Sequence, residues 1–190
     1  MYKYSVTSIG GHAFEGCNGL RDVTIANSVI SIGEYAFSRC SKLVHVNIPG
    51  SVTNIDRGAF SGCNDLVSVI IPTGISKITM WAFSNCGNLT NVVIPNTVKN
   101  IGDSAFMNCS GLTTVIVPDN VTSIDYKTFY GCSGLKTIYY GGSANEWSAI
   151  SISSGNSPLT NATRYYYSET EPAEAGNYWH YGTDGEPVIW

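Results

Sequence analysis

A motif of 23 residues recurs six times along this chain of 190 residues. The six cysteines mark its phase without a slip, at Cys17, Cys40, Cys63, Cys86, Cys109 and Cys132. The same step separates the phenylalanines from Phe14 to Phe129 and the leucines from Leu20 to Leu135. A fixed period of this length is typical of a solenoid, in which successive coils of the chain stack on one another.

Each copy carries the pattern of a strand, a turn, a second extended piece and a helical turn. In the coil that begins at Leu43, Val46 and Ile48 alternate with polar residues, which indicates a short half-buried strand, and Pro49 ends it. One helical turn would place the alanine, phenylalanine and cysteine of the copy on a single inward face. The other inward residues of this coil are Val52, Ile55, Ala59, Phe60 and Cys63.

A single coil cannot fold alone, because its few apolar side chains do not offset the backbone entropy of 23 ordered residues. Stacking supplies the missing stabilisation through backbone hydrogen bonds and through contacts between equivalent side chains. The residue types that recur are therefore those expected to contact the neighbouring coil. The sequence predicts a solenoid of short parallel strands and short helical turns.

The repeating pattern, approximately SVTSIGxxAFxxCxxLxxVxIP, resembles the BspA-like, or treponemal-type, leucine-rich repeats over residues 5–141. Departures are local, and they occur at Ala26, Thr79, Thr128, Tyr140 and Gly141. The resemblance implies a leucine-rich repeat solenoid. It also implies a cell-surface or secreted bacterial protein, since many members of this family are exposed outside the cell and several are linked to adhesion.

The chain divides into three predicted segments. Residues 1–141 hold the six repeats, residues 142–167 form a degenerate seventh coil, and residues 168–190 form a C-terminal cap. Ser143 and Glu146 have the spacing of a capping box and predict a short helix that carries Trp147.

The N-terminal end has no predicted cap. Counting back 23 residues from Ile25 places Tyr2 in the strand position, so the first coil would begin at the end of a strand. We expect further repeats or a trimmed export signal upstream in the natural protein, and self-association through this uncapped end is a possible mode of assembly.

The charge distribution disfavours several classes of partner. Residues 1–141 carry nine basic and eight acidic side chains, whereas residues 142–190 carry one basic and six acidic side chains. A phosphate backbone requires a basic stripe, so nucleic acid is not an expected partner. The sequence contains no run of 18 or more apolar residues, so membrane insertion is not expected.

No pattern in the sequence predicts catalysis or a cofactor. The cysteines would form a line of buried, reduced thiols, because one thiol per coil does not converge as zinc ligands do; a disulfide reading is also disfavoured by the distance between parallel side chains. The histidines fall in unrelated phases, at His12, His45 and His180. The acidic residues Glu169, Glu171 and Glu174 indicate a solvated linker, with calcium binding as the alternative.

The outward strand positions form the first candidate binding surface. One column is polar and includes His45, while the next column becomes apolar toward the C-terminal end. Contiguous exposed apolar residues on a strand face are typical of a binding surface, although they also suit a strand ladder or a face that the tail covers. The candidate residues are His45, Asn47, Ile70, Val93, Ile116 and Tyr139.

Met80 and Trp81 form a second candidate, since mostly polar residues and glycine occupy their columns in other copies. Local packing and a partner contact are both open for this pair. The tail aromatics, including Tyr166 and Trp179, would pack as a cap or stack on sugar rings.

Three functions follow from these patterns. The leading hypothesis is a noncatalytic recognition or adhesion module that binds a protein or a glycan through its strand face. A structural spacer is the alternative, and an enzymatic or glycan-binding accessory domain has less support.

Overall fold

The structure, a computed structural model that describes residues 5–190, is a solenoid of stacked coils. The predicted leucine-rich repeat fold is therefore confirmed, while the strand position predicted at Tyr2 lies outside the described residues. The elements in chain order are β1 (Ser8–Ile9), β2 (Asp22–Thr24), β3 (Ser31–Ile32), β4 (His45–Asn47), β5 (Asn54–Ile55), β6 (Ser68–Val69), β7 (Lys77–Ile78), β8 (Asn91–Val93), β9 (Asn100–Ile101), β10 (Thr114–Val117), β11 (Ser123–Ile124), β12 (Thr137–Tyr140), α1 (Ala144–Ala149), β13 (Ser151–Ile152), α2 (Ser157–Asn161), β14 (Thr163–Tyr167), β15 (Tyr178–Tyr181) and β16 (Pro187–Ile189).

The main sheet has nine strands in the order β16-β15-β14-β12-β10-β8-β6-β4-β2. Its strands are parallel except for β15 and β16, which form an antiparallel hairpin. Within the repeats, each residue pairs with its equivalent 23 positions away, as His45 does with Ser68. The sequence period therefore sets the register, and equivalent side chains form straight columns across the sheet.

The second side of the solenoid is built from the two-residue strands, in two separate sheets. One sheet has the order β1-β3-β5 and the other has the order β13-β11-β9-β7. The interruption between β5 and β7 lies at Thr79, one of the departures from the repeat pattern. Here the Thr79 hydroxyl donates to the Ile55 carbonyl at 2.9 Å, whereas in the following coil the Gly102 N–H donates to the Ile78 carbonyl at 2.8 Å.

The third side is a succession of tight turns, which corrects the predicted helical turn. Gly58 and Gly62 have φ angles of 62° and 77°, in the left-handed region that a right-handed helix excludes. The N–H groups alternate in direction: Phe60 N donates to Ala82 O of the next coil at 2.9 Å, and Cys63 N donates to Phe60 O of its own coil at 3.3 Å. Both sets of backbone donors are thus satisfied without a helix.

The core is a stack of phenylalanine rings that runs through the repeats. Neighbouring rings from Phe14 to Phe129 are nearly parallel, with centroids 5.0 to 5.6 Å apart. Every ring after the first is at most 1% exposed, whereas Phe14 is 40% exposed. This alignment confirms that the 23-residue period corresponds to one coil.

The cysteine thiols line the core beside these rings. Each thiol from Cys40 to Cys132 is buried and donates to the backbone carbonyl of the phenylalanine in the preceding coil, as Cys63 Sγ does to Phe37 O at 3.3 Å. Burial raises the pKa of the Cys63 and Cys132 thiols well above the ordinary value. Cys17 differs, because its side chain is exposed.

Residues 143–167 add a further turn of the solenoid after the repeats. The capping box expected at Ser143 is present: its side chain accepts from Glu146 N, and the Glu146 carboxylate accepts from Ser143 N at 2.7 Å. The buried Asn156 side chain completes the ladder of the third side, since its Oδ1 accepts from Phe129 N at 2.9 Å. One asparagine amide thus takes the place of the carbonyl that a regular coil would supply.

We expect Phe60→Ala to lower the free energy of unfolding by about 3–5 kcal/mol, because it leaves a cavity inside a continuous ring stack. Urea titration followed by circular dichroism measures the change. Phe14→Ala is the matched control and should cost clearly less, since that ring is already 40% exposed. Equal losses for the two variants would contradict the stack as the core.

We expect one thiol to react with a disulfide reagent in the native protein and six to react after denaturation. The thiolate is the reactive form, and burial disfavours it in the coils that follow the first. Quantification with Ellman's reagent gives both counts, and Cys17→Ser should abolish the native reaction. Rapid native labelling of a second thiol would show that the core is not closed.

Candidate functional site: the strand face and its overhanging hairpin

The outward side of the main sheet, here called the strand face, carries two columns of side chains. The first column is polar and contains Asp22, His45, Ser68, Asn91, Thr114 and Thr137, which strand pairing places side by side. In the second column Thr24 and Asn47 are followed by the apolar strip, defined as Ile70, Val93, Ile116 and Tyr139. His45 and Asn47 are exposed and lie beyond the N-terminal end of the strip.

Exposure falls along the apolar strip toward the C-terminal end. Ile70 is 81% exposed and Val93 is 54% exposed, whereas Ile116 and Tyr139 are half-buried. The sequence left open whether the strip is an exposed binding surface or a face that the tail covers. Each explanation applies to one half of the strip. Its first half is open to solvent, and its second half is covered.

Aromatic side chains of the tail cover Tyr139. The ring of Tyr165, on the adjacent strand β14, lies 5.6 Å from the Tyr139 ring, and the ring of Trp179, on β15, lies 5.4 Å from it. Trp179 is fully buried, and its Nε1 donates to the Tyr140 carbonyl at 2.7 Å. This hydrogen bond fastens the tail to the last strand of the repeats.

The hairpin formed by β15 and β16 overhangs the strip and creates two clefts. Its turn is closed by a hydrogen bond from Gly182 N to Glu186 O at 2.8 Å. The first cleft, of about 380 Å³, is lined by Thr73, Val93, Ile94, Pro95, Asn96, Ile116, Val117, Pro118, Asp119, Gly141, Tyr167 and Tyr181. The second cleft, of about 410 Å³, is lined by Ser68, Val69, Asn91, Val92, Val93, Thr114, Ile116, Tyr139, Glu186 and Pro187.

Val93 and Ile116 line both clefts, so the strip is their common floor. Burial raises the pKa of Tyr139 and of Tyr181, with smaller contributions from the neighbouring phenols of Tyr165 and Tyr167. The raised pKa values of Tyr139 and Tyr181 disfavour ionisation of these two phenols, which is consistent with the largely apolar character of the clefts.

The second candidate pair lies elsewhere. Met80 and Trp81 are half-buried and belong to the third side of the solenoid, away from the strand face. The guanidinium of Arg57 lies 5.6 Å from the Trp81 ring. The structure thus separates the candidates named from the sequence into two groups on different sides.

The sequence did not identify Tyr181, Glu186 and Pro187 as cleft residues. These residues follow the end of the 23-residue period, so no column predicts which side of the solenoid they contact. The position of the turn between Gly182 and Glu186 over Val93 and Ile116 depends on contacts in three dimensions.

The polar groups of the described region do not form a metal centre. Within residues 5–190, no three His, Cys, Asp or Glu side chains come close enough together to hold an ion. Glu169, Glu171 and Glu174 are exposed. In the same part of the chain, neither helix has the length and apolar character required to span a bilayer.

Comparison with known families gives one clear match. The family model described as the BspA-type leucine-rich repeat region matches in six copies, over residues 2–113 and 32–157. A search among curated proteins finds no match.

Several solved structures are similar to this chain. The leucine-rich repeat protein of Treponema pallidum has 36% identity and a TM-score of 0.68, and the match covers 70% of this chain and 62% of that one. A leucine-rich repeat protein of Bacteroides ovatus has 42% identity and a TM-score of 0.69, and the match covers 73% of this chain and 37% of that one. A leucine-rich cell surface protein of Faecalibacterium prausnitzii has 35% identity and a TM-score of 0.68, and the match covers 70% of this chain and 35% of that one.

We expect Trp179→Phe to loosen the tail, because the variant leaves the Tyr140 carbonyl without this donor at a cost of about 1–3 kcal/mol. Hydrogen exchange should become faster in residues 178–189. Trp190→Phe is the matched control: it also removes an indole donor, to Ser168 O at 3.0 Å, but at an exposed site. The same exchange rates in both variants would show that the Trp179 bond does not hold the tail.

Proposed function

This chain belongs to the BspA-type leucine-rich repeat family, and we propose that it is a noncatalytic recognition or adhesion module that binds a partner protein through its strand face. The observation that carries the proposal is the exposed half of the apolar strip, at Ile70 and Val93, beside the two clefts. Large aliphatic side chains exposed next to concave surfaces are typical of protein interaction sites.

The energetics favour the strip as the centre of an interface. Covering Ile70 and Val93 would remove two aliphatic side chains from water, each worth about 1.5–3 kcal/mol when burial is complete. Ser68 and Asn91, in the polar column alongside, provide hydrogen-bonding groups at the rim. An apolar centre with a polar rim is the usual arrangement of a protein interface.

A protein partner fits this face better than a glycan does. The open part of the strip carries aliphatic side chains, which offer no aromatic ring on which a sugar could stack. Each cleft is wide enough to take a side chain from the partner, and the shared floor of Val93 and Ile116 would contact both. Glycan binding at this face stands as the alternative.

We place the protein at the cell surface or in the secreted fraction. Two observations support this location: family members are typically surface or secreted bacterial proteins, and one similar structure is that of a leucine-rich cell surface protein. A spacer without a binding face is the second candidate function. The 81% exposure of Ile70 argues against it, because a spacer has no need of an uncovered apolar strip.

The proposal is tested on an array of purified secreted and cell-surface proteins, followed by affinity measurement for each protein bound. Ile70→Asp and Val93→Asp should weaken binding more than tenfold, because each places an unpaired carboxylate at the apolar centre of the interface. Circular dichroism should show the same unfolding temperature as the parent, since both positions are exposed.

Two control variants carry the same change in charge. Ile30→Asp replaces an isoleucine that is 51% exposed before β3, outside the strand face, and should leave the affinity unchanged. Asn91→Asp adds a carboxylate at the rim and should have a small effect. Binding that survives both Ile70→Asp and Val93→Asp would remove the strip as the recognition surface.

A further inference from the structure

The tail beside the strand face carries almost no positive charge. Residues 142–190 hold six acidic side chains and one basic side chain, that of Arg164. Arg164 pairs with the buried Ile138 in the main sheet, and its guanidinium lies 4.1 Å from the ring of the buried Trp147. The one basic group of the tail therefore points to the core side of the sheet, away from the strand face.

Each of the two clefts on the strand face contains one exposed carboxylate. Asp119 lines the first cleft and Glu186 lines the second. Neither lining includes a lysine, an arginine or a histidine. None of the ion pairs formed within residues 5–190 involves Asp119 or Glu186. Both carboxylates are therefore available to a positively charged group of a partner.

A second carboxylate adds to the negative charge at the Asp119 end of the first cleft. Asp119 and Glu146 line a neighbouring hollow together with Tyr140. Burial raises the pKa of Tyr140, and the carboxylates of Glu146 and Asp119 raise it further, because negative charge nearby disfavours the phenolate. A cation that enters the first cleft from this end meets the same negative charge.

The rest of the first cleft suits a long basic side chain. Tyr167 and Tyr181 are both exposed, and their ring centroids lie 6.0 Å apart at an angle of 49°. Aromatic ring faces attract ammonium and guanidinium groups. Pro95 and Pro118 supply an apolar wall along which a methylene stem can lie. The cleft thus combines an apolar wall, aromatic rings and a carboxylate, which match the stem and the charged end of lysine or arginine.

The second cleft has the same combination of groups. Tyr139 supplies an aromatic ring, Pro187 and Val69 supply apolar surface, and Glu186 supplies the carboxylate. The side-chain oxygen of Asn91 is a further acceptor in this lining. A guanidinium or ammonium group has several N–H donors to satisfy, so the second cleft also suits a basic side chain.

The two clefts lie at opposite ends of the same strands. The second cleft contains Asn91 and Thr114, the first residues of β8 and β10, whereas the first cleft contains Pro95 and Pro118, which follow these strands. From Asn91 to Pro95 the chain advances roughly 13 Å, at about 3.3 Å per residue. Val93 lies midway and belongs to both linings. An extended partner segment of about five residues covers this distance.

We propose that the strand face binds an extended segment of its partner protein in which lysine or arginine residues stand two positions before and two positions after a central apolar residue. This inference rests on the strand-face function proposed above and specifies the chemistry of the partner. The central side chain contacts Val93, and the two basic side chains enter the clefts toward Asp119 and Glu186. In an extended segment these three side chains face the same way. An acidic segment is disfavoured, because it would bring like charges together.

Selection from a display library of short random peptides, with the purified protein as bait, tests this preference. We expect enrichment of peptides that carry lysine or arginine two positions on either side of valine, isoleucine or leucine. Replacing both basic residues of an enriched peptide by glutamine should weaken binding about tenfold, and added salt should weaken binding of the basic peptide. Enrichment of acidic peptides, or of apolar peptides without basic residues, would overturn the proposal, as would a selection that yields no binding peptide.

Asp119→Asn and Glu186→Gln test the assigned carboxylates. Each should weaken binding of the enriched peptide roughly two- to fivefold, and the double variant about tenfold, because exposed ion pairs are individually modest. The matched control is the double variant Glu169→Gln/Glu171→Gln, which removes the same charge from exposed tail positions outside both clefts and should leave the affinity unchanged. Undiminished binding by Asp119→Asn/Glu186→Gln would overturn the proposal.

Two uncharged variants separate this inference from the strand-face function itself. Ile70→Ser and Val93→Ser remove apolar contacts without adding a carboxylate that would itself attract a basic peptide. Peptide binding that is lost in these variants but retained in Asp119→Asn/Glu186→Gln would overturn only the charge preference and leave the strand face as the binding surface. Binding that is insensitive to both serine variants would overturn both proposals.

Discussion

Hydrogen bonds and side-chain contacts between successive coils hold this protein together, because no single coil buries enough apolar surface to fold alone. All three sides of the solenoid take part. The strands of the main sheet pair in parallel, the two-residue strands pair on the second side, and on the third side alternate N–H groups reach the next coil. The phenylalanine stack fills the space between these three ladders, so each inner coil is stabilised by contacts with the coil before it and the coil after it.

This dependence between coils leaves the outward positions free to differ from one coil to the next. On the strand face the same backbone position carries Asn47 in one coil and Ile70 in the next, and the sheet accepts both. On the third side the left-handed position carries Gly58 in one coil and Trp81 in the next, although glycine suits the backbone better. Two different surfaces are thus displayed on one repeating frame.

The 23-residue period predicts which residues of a coil face inward, but it does not predict the path of the backbone between them. Phe60 and Cys63 were expected to face inward, and both are fully buried. They were expected on a helical turn, but two positions of this segment have left-handed φ angles in every coil, both where glycine occupies them, as at Gly58 and Gly62, and where it does not, as in the preceding coil, so consecutive turns form instead. The inward pattern was predictable because it follows from burial, whereas the path of the backbone depends on which coil receives each N–H group. The candidate strip was likewise predicted from its column, but its cleft-forming neighbours at Tyr181 and Pro187 were not.

The sequence by itself determined the coil length, the register of the strands and the identity of the columns, because a constant step of 23 residues permits one alignment of neighbouring coils. It also determined that Ile70, Val93, Ile116 and Tyr139 share a column. Only the tertiary structure decided how much of that column is open. The tail lies beyond the periodic region, and its position is set by the burial of Trp179 and by its bond to Tyr140, contacts between residues 39 positions apart that no local pattern encodes.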